Sequence, residues 1–241
     1  MLLSAFKTPA ELVSFSILPE SFNFDNFTTV IRSSQFIRWY ANSLLIASAV
    51  TLCVLIFSAM AGYALAKYRF TGRKIIFLLI LSTMMIPLEM LVIPWYILGN
   101  AFADTYLGIA LPGLISAFGI FLMKQAAEQV PDSLIEAARV DGAGEFRILF
   151  TIVLPLLKPA CASLGIFAFL GNWNAFLWPL IITDSADMFT LPVGLQYFSG
   201  QHTAQHHLIM AGSSLTVIPV LIVFIFLQKH IIRGVALTGI K

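Results

Sequence analysis

The densest group of charges lies in the stretch EAARVDGAGEFRILFTIVLP, Glu136 to Pro155. Glu136, Arg139, Asp141, Glu145 and Arg147 crowd there with Gly142 and Gly144. No pairing of a nucleophile with a base is visible there or elsewhere, so catalysis has no candidate residues. No G-x-x-x-x-G-K-[ST] loop occurs, so this chain does not cradle nucleotide phosphates, and no cofactor is expected in it. The remaining polar candidates lie in apolar surroundings. A carboxylate such as Glu89 at membrane depth faces a cavity or a partner by default; the alternative is a solvated position near an interface, where the run breaks at Pro87. Asn172 and Asn174 need hydrogen-bond partners in lipid, and Trp173 between them offers a ring face. They suit either a sugar hydroxyl in a substrate pathway or contacts between helices, with Trp173 and Trp178 in an aromatic belt. His202, His206 and His207 have spacing that suits zinc on a helix. No Cys completes a set and Asp184 and Asp187 are unplaced, so a polar loop is expected and no metal site.

Composition says what must position these residues. The 241 residues are 59% hydrophobic and 11% charged, with mean hydropathy +0.90. Soluble domains carry about 25% charged residues. The class is therefore an all-α integral membrane protein. The net charge of +2, with no basic stripe, gives nucleic acid no footing as a partner; membrane lipid is the expected one. Cys53 and Cys161 lie in apolar runs and read as small core residues.

Five apolar runs are visible, roughly Ile37–Ala66, Lys74–Leu98, Tyr106–Lys124, Pro159–Ile182 and His207–Gln228. Each reaches the roughly 20 residues a helix needs to cross about 30 Å of hydrocarbon. Pro87, Pro94, Pro112, Pro179 and Pro219 predict broken or kinked helices whose freed carbonyls find other partners. Lys and Arg cluster in KYRFTGRK, around Lys124 to Lys158, and in the tail at Lys229, Arg233 and Lys241. These regions are expected in the cytoplasm, with the C-terminus. GNAFADT and the stretch from Thr183 to His207 carry no Lys or Arg and are expected outside. With this parity residues 1–36 form an external segment ahead of a transmembrane domain, 37–241, whose cytoplasmic loop covers about 125–158. An external start implies a preceding span, hence a six-span parent whose first span is missing.

The polar stretch then falls on the cytoplasmic side between the third and fourth runs. Ser133-x-x-Glu136 fits a capping box, with the hydroxyl on an orphan N–H and the carboxylate reaching back. Gly142 and Gly144 are positions able to turn with positive φ. Glu145 opens a second short helix at its dipole-positive end, followed by Phe146, Leu149, Phe150 and Val153 at helical spacing, and Pro155 stops or bends it. One reading is an interfacial helix lying on headgroups; the other is a docking knob for a soluble partner, which small Ala137 and Ala138 let approach closely.

Glu136, Ala137 and Ala138, then Gly142, then Ile152, Leu154 and Pro155 fit E-A-A-x(3)-G-x(9)-I-x-L-P at every position. This resembles the EAA motif of ABC importer permeases. The spans around MMIPLEMLVIPWYILGN, the GNWNAFLWPLI segment and the tail FLQKHIIRGVALTGIK are similar to the sugar-importer branch of maltose and glycerol-phosphate type permeases; where many members carry Glu or Gln after Trp-Asn, this chain has Ala175. The resemblance implies a bacterial, multi-pass cell-membrane permease subunit with the type I importer bundle. It implies a second permease subunit, two cytoplasmic ATPase subunits and an external solute-binding protein. It makes the loop a coupling helix seated in the ATPase, with Glu136, Ala137, Ala138, Asp141, Gly142, Ile152, Leu154 and Pro155 as its residues. The implied mechanism is alternating access driven by ATP hydrolysis in the ATPase, moving a sugar or sugar-like solute. Two other classes remain open: a secondary transporter, which needs internal repeats and intramembrane charges, and a membrane scaffold without transport.

Overall fold

A computed structural model describes residues 2–13, 18–19, 22–33, 35–201 and 205–226. Among them every regular element is helical. In chain order the helices are α1 Pro9–Val13, α2 Asp25–Ser33, α3 Phe36–Lys67, α4 Arg73–Thr83, α5 Leu88–Gly99, α6 Tyr106–Ala110, α7 Ala117–Glu128, α8 Asp132–Val140, α9 Glu145–Ile148, α10 Leu154–Leu156, α11 Lys158–Trp173, α12 Leu177–Ile182, α13 Leu191–Gln201 and α14 His206–Leu215. The Lys229, Arg233 and Lys241 tail and His202 lie outside the described residues.

Among the described residues two helices are long and apolar enough to cross a membrane unbroken, Phe36–Lys67 and His206–Phe226. Three more candidates are bent pairs: Arg73–Thr83 with Leu88–Phe102 at 98°, Tyr106–Gly113 with Ala117–Glu128 at 49°, and Glu145–Leu156 with Lys158–Trp173 at 85°. By length and composition the described residues thus hold up to five spans, the first arm of the third bent pair being the end of the polar stretch itself. Pro87 lies in the first break, and Pro112 lies in the 3₁₀ turn Leu111–Gly113 that precedes the second. The fourth run differs from its sequence reading: helix α11 ends at Trp173 and α12 starts at Leu177, so Pro159–Ile182 is two helices.

The chain divides into two compact units, one of residues 1–46, 96–109 and 173–223, the other of 47–95, 110–172 and 224–241. The first unit includes the N-terminal residues, and in it the 3₁₀ turn Leu3–Phe6 and helix α2 pack on α14. In the same unit Asn26 donates to the carbonyls of Ala5 and Lys7, at 2.9 Å each.

In the second unit α3 and α7 approach to backbone contact. A Cβ at Gly62 would lie 2.7 Å from the Lys124 nitrogen and 2.8 Å from the Met123 carbonyl carbon. Small residues let membrane helices pack this closely. Gly62→Val is expected to overpack the seam and cost about 1–3 kcal/mol. Gly171→Ala, with open space at its Cβ position, is the matched control. Thermal melting in detergent checks this: a valine variant as stable as the control removes the close-packing account.

Candidate functional site

The polar loop is built at the end of the second unit where α3 and α7 finish. Gln129 closes α7 and Val130 is buried. The ring of Pro131 fixes its φ at −59°, and α8 starts at the next residue, Asp132. No side chain caps this start. The expected capping box is therefore absent. Ser133 lies inside the first turn, two positions past the N-cap Pro131. Asp132 takes the acidic place near the helix start, and its carboxylate turns to Lys67 at 2.6 Å. The Lys67 ammonium, on the last turn of α3, also donates to the Val130 carbonyl at 2.5 Å. That partner holds the Asp132 carboxyl below the usual carboxylate range.

Ile135 and Ala138 turn inward and are buried, while Leu134, Glu136, Ala137 and Val140 are exposed, Val140 to 88%. The helix ends in a Schellman motif: the Ala143 N–H reaches the Ala138 carbonyl at 2.9 Å, and the Gly142 N–H reaches Arg139 at 3.0 Å. The motif needs a left-handed residue at Gly142, and its φ is +78°. Gly144 instead is extended, φ −70° and ψ 156°, and serves as N-cap of α9; of the two glycines only Gly142 turns with positive φ.

Glu145 does open α9, and it also ties the loop together. One carboxylate oxygen meets the Arg139 guanidinium at 2.7 Å, and the other accepts from the Tyr63 hydroxyl of α3 at 2.9 Å. Arg139 also lies over the Tyr68 ring, 5.8 Å from its centre, and Tyr68 meets Tyr63 edge-on at 5.8 Å. The guanidinium, against the opposing cost of burial and with help from both phenols, brings the Glu145 carboxyl down to about 2. Burial first, then the neighbouring carboxylate, pushes the Tyr68 phenol up. Sequence reasoning placed Glu145 but missed this clasp, because Tyr63 and Tyr68 sit far away in the chain.

Beyond α9 the residues Leu149–Val153 form a π-helical turn, and α10 follows with Pro155 inside it. Proline removes the N–H that the Thr151 carbonyl would use, which fits a wider turn just before it. The chain then bends sharply at Leu157 into α11. Ile148, Leu149 and Val153 are buried, Ile152 and Leu154 half-buried, and Phe146 is 68% exposed. Of the motif residues, Glu136, Ala137, Asp141, Gly142 and Pro155 face outward and Ala138 inward. The loop therefore offers an exposed face of Leu134, Ala137, Val140 and Phe146, edged by Glu136, Asp141 and Arg147.

The other candidates fall in both units. Glu89 is exposed in the first turn of α5, directly after the break at Pro87. Asn172 belongs to the second unit and donates to the Ala168 carbonyl of its own helix at 2.8 Å. Trp173 and Asn174 belong to the first unit. Trp173 is only 2% exposed, its indole N–H donates to the Thr216 carbonyl at 3.1 Å, and Tyr40 stands edge-on against it at 5.5 Å. Its ring is thus spent on packing. Asn174 is exposed in the break before α12. His206 and His207 open α14, and no group of His, Cys, Asp or Glu among the described residues has the makings of a metal site.

In the first unit the segment after α12 is pinned by side chains of α3. Arg38 pairs with Asp187 at 3.2 Å, Trp39 donates to the Ala186 carbonyl, and Asn42 donates to the carbonyls of Asp187 and Phe189. Asp104, a non-glycine residue at φ +55°, accepts from the N–H groups of Asp184 and Ser185. Those bonds, that from Ser185 foremost, hold its carboxyl below the usual range. None of these roles has a local sequence signal.

Comparison with known proteins gives a consistent picture. A family model described as binding-protein-dependent transport system inner membrane component matches residues 55–237. The arabinooligosaccharides transport system permease protein AraQ of Bacillus subtilis is 40% identical over the whole of this chain and 88% of its own length. The sn-glycerol-3-phosphate transport system permease protein UgpE of Yersinia pestis is 38% identical over 84% of this chain and 73% of its own. A crystal structure of a bacterial ABC transporter involved in the import of the acidic polysaccharide alginate contains a chain that superposes with a TM-score of 0.83 at 27% identity, covering 94% of this chain and 87% of that one.

Proposed function

The chain belongs to the family of binding-protein-dependent transport system inner membrane components, and from that membership we propose that it forms the membrane pathway of an ABC importer for a sugar or sugar-like solute. It is a permease subunit, not the ATP-hydrolysing one. Hydrolysis belongs to two separate cytoplasmic ATPase subunits, and an external solute-binding protein delivers the cargo. A second permease subunit completes the pathway. The ends rich in Lys and Arg, with the C-terminus, lie in the cytoplasm. The AraQ and UgpE relatives, named for arabinooligosaccharides and for sn-glycerol-3-phosphate, support a carbohydrate or polyol cargo.

The observation that carries this reading is the folded form of the polar loop. Its two short helices expose a small-residue and apolar face outside the spans, while the clasp at Glu145 ties that face to α3. A helix as short as α8 is marginal alone in water, so its outer face has a purpose only if something covers it. In the proposed cycle ATP closes the ATPases, each coupling loop moves with its cleft, and the attached spans rock from inward-open to outward-open. The binding protein then releases cargo into the opened cavity.

The test is uptake by proteoliposomes carrying the full complex. Transport is expected to require ATP inside and binding protein outside, and to survive an ionophore that collapses ion gradients. Uptake that needs no ATP and vanishes with the ionophore makes the chain part of a secondary transporter. Absence of any uptake despite correct assembly favours a scaffold.

A further inference from the structure

Beside the coupling loop the second unit holds a cleft of about 890 Å³ that the transport reading does not use. It lies where α3 gives way to α4, next to the end of α7. Its polar rim carries Arg69, Arg73, Lys74 and Lys124 against a single acid, Glu128. Glu128 is already engaged, by Lys124 at 2.7 Å and by Arg73 at 3.6 Å. Lys124 is buried, with its ammonium 4.4 Å above the Phe77 ring. Arg69 and Lys74 are exposed and enter no ion pair among the described residues. The lining thus holds three more positive charges than negative ones.

Helix α4 deepens the imbalance. Its first turn contains Arg73 and Lys74 and no acid. A helix N-terminus already carries partial positive charge, so two cations there are unfavourable unless an anion joins them. The remaining wall is apolar. Ile75 and Leu78, one turn apart on α4, are 64% and 63% exposed, and Leu79 continues the same outer stripe. Phe70 and Phe77 also line the cleft.

We propose that this cleft is a binding site for an anionic phospholipid, its phosphate held between Arg69 and Lys74 and its acyl chains lying along Ile75 and Leu78. A soluble anion accounts for the rim but not for the exposed stripe. A zwitterionic lipid accounts for the stripe but leaves the excess charge unmatched. A phosphodiester with two chains answers both, and basic pockets between helices at a membrane face are suited to such headgroups. Arg69 of the rim follows two residues after Lys67, which holds Val130 and Asp132 at the root of the coupling loop, so a bound lipid would brace the base of that loop.

The test uses the complete transporter in nanodiscs of equimolar dioleoylphosphatidylglycerol and dioleoylphosphatidylcholine. Native mass spectrometry then counts the lipid retained after delipidation. Two uncompensated cations predict a preference for phosphatidylglycerol of roughly thirtyfold. Arg69→Gln with Lys74→Gln is expected to bring that preference close to one, and the charge-preserving Arg69→Lys with Lys74→Arg to keep it. Arg32→Gln, outside the cleft, serves as control. Should the glutamine variant fail to assemble, wild-type complex with a photoreactive acyl chain on phosphatidylglycerol gives the answer: cross-links are expected on peptides holding Ile75 and Leu78. Equal retention of both lipids, displacement by excess inorganic phosphate, or cross-links from this stripe to another subunit in place of lipid each overturn the proposal.

Discussion

Gly142→Val is expected to leave the spans inserted and folded while coupled transport falls by an order of magnitude or more. Gly142 sits at φ +78° with no atom within 4 Å of the place a Cβ would occupy, so the penalty comes from the backbone and not from a clash. A left-handed conformation costs an ordinary L-residue about 1–2 kcal/mol, and a β-branched one more. Each 1.4 kcal/mol is a factor of about ten in an equilibrium. The valine escapes by giving up the two bonds that close α8, and α9 then leaves at the wrong angle. Asparagine, which enters the left-handed region readily, is expected to restore most of the function. Glu136→Lys probes the outer face directly, because Glu136 is exposed next to Ala137. A surface covered by the ATPase predicts weaker recruitment. An interfacial helix predicts unchanged recruitment and tighter contact with anionic headgroups. Co-purification with the ATPase, together with hydrolysis and uptake in proteoliposomes, reads both variants. Normal recruitment and transport in both would falsify the coupling assignment.

The contrast between Gly142 and Gly144 shows how far sequence reaches. Composition and run length foretell the helical membrane class, because burial in lipid demands satisfied backbone and long apolar stretches whatever the details. The breaks are foretold in kind, since proline denies a donor wherever it stands. Glycine only permits a turn, and which of two glycines makes it depends on where the helix before it ends. That end is set by Ile135 and Ala138 packing inward, a tertiary fact. The capping box failed for a similar reason: Pro131 moved the start of α8, and Lys67, from another helix, claimed Asp132. Likewise Trp173 reads as a candidate sugar platform until Tyr40 and the Thr216 carbonyl are seen against it. The E-A-A to L-P spacing was legible because it is local. The clasp on Glu145 was not, because Tyr63 and Tyr68 reach it across the fold.

That clasp is expected to separate docking from transmission. Glu145 bonds Arg139 within the loop and Tyr63 on α3, so it is the link by which movement of the loop reaches a span. Glu145→Ala leaves a buried tyrosine hydroxyl without this acceptor and a guanidinium without its ion pair, at a cost of about 1–2 kcal/mol. The outer face at Glu136 and Ala137 is untouched. The ATPase should therefore still bind and hydrolyse ATP, while solute moved per ATP falls several-fold. Tyr63→Phe removes only the link to α3 and is expected to lower the same ratio with less effect on loop stability. The dependence on pH has a definite sign. The Glu145 carboxyl is lowered from 4.5 to about 2, so its contribution is complete above about pH 4.5 and is lost as pH falls towards 2. Since the pair is more than a third exposed, the contribution is on the order of 1 kcal/mol once solvent screening is allowed for. Between pH 6 and 8 the clasp is fully charged and coupling should not vary on its account. Hydrogen exchange across residues 139–149 should show protection falling at acid pH in the wild type and already reduced at neutral pH in Glu145→Ala. If the alanine variant keeps both wild-type protection and the wild-type ratio of transport to hydrolysis, force passes from loop to span by another route, and the link from Lys67 to Asp132 becomes the one to break.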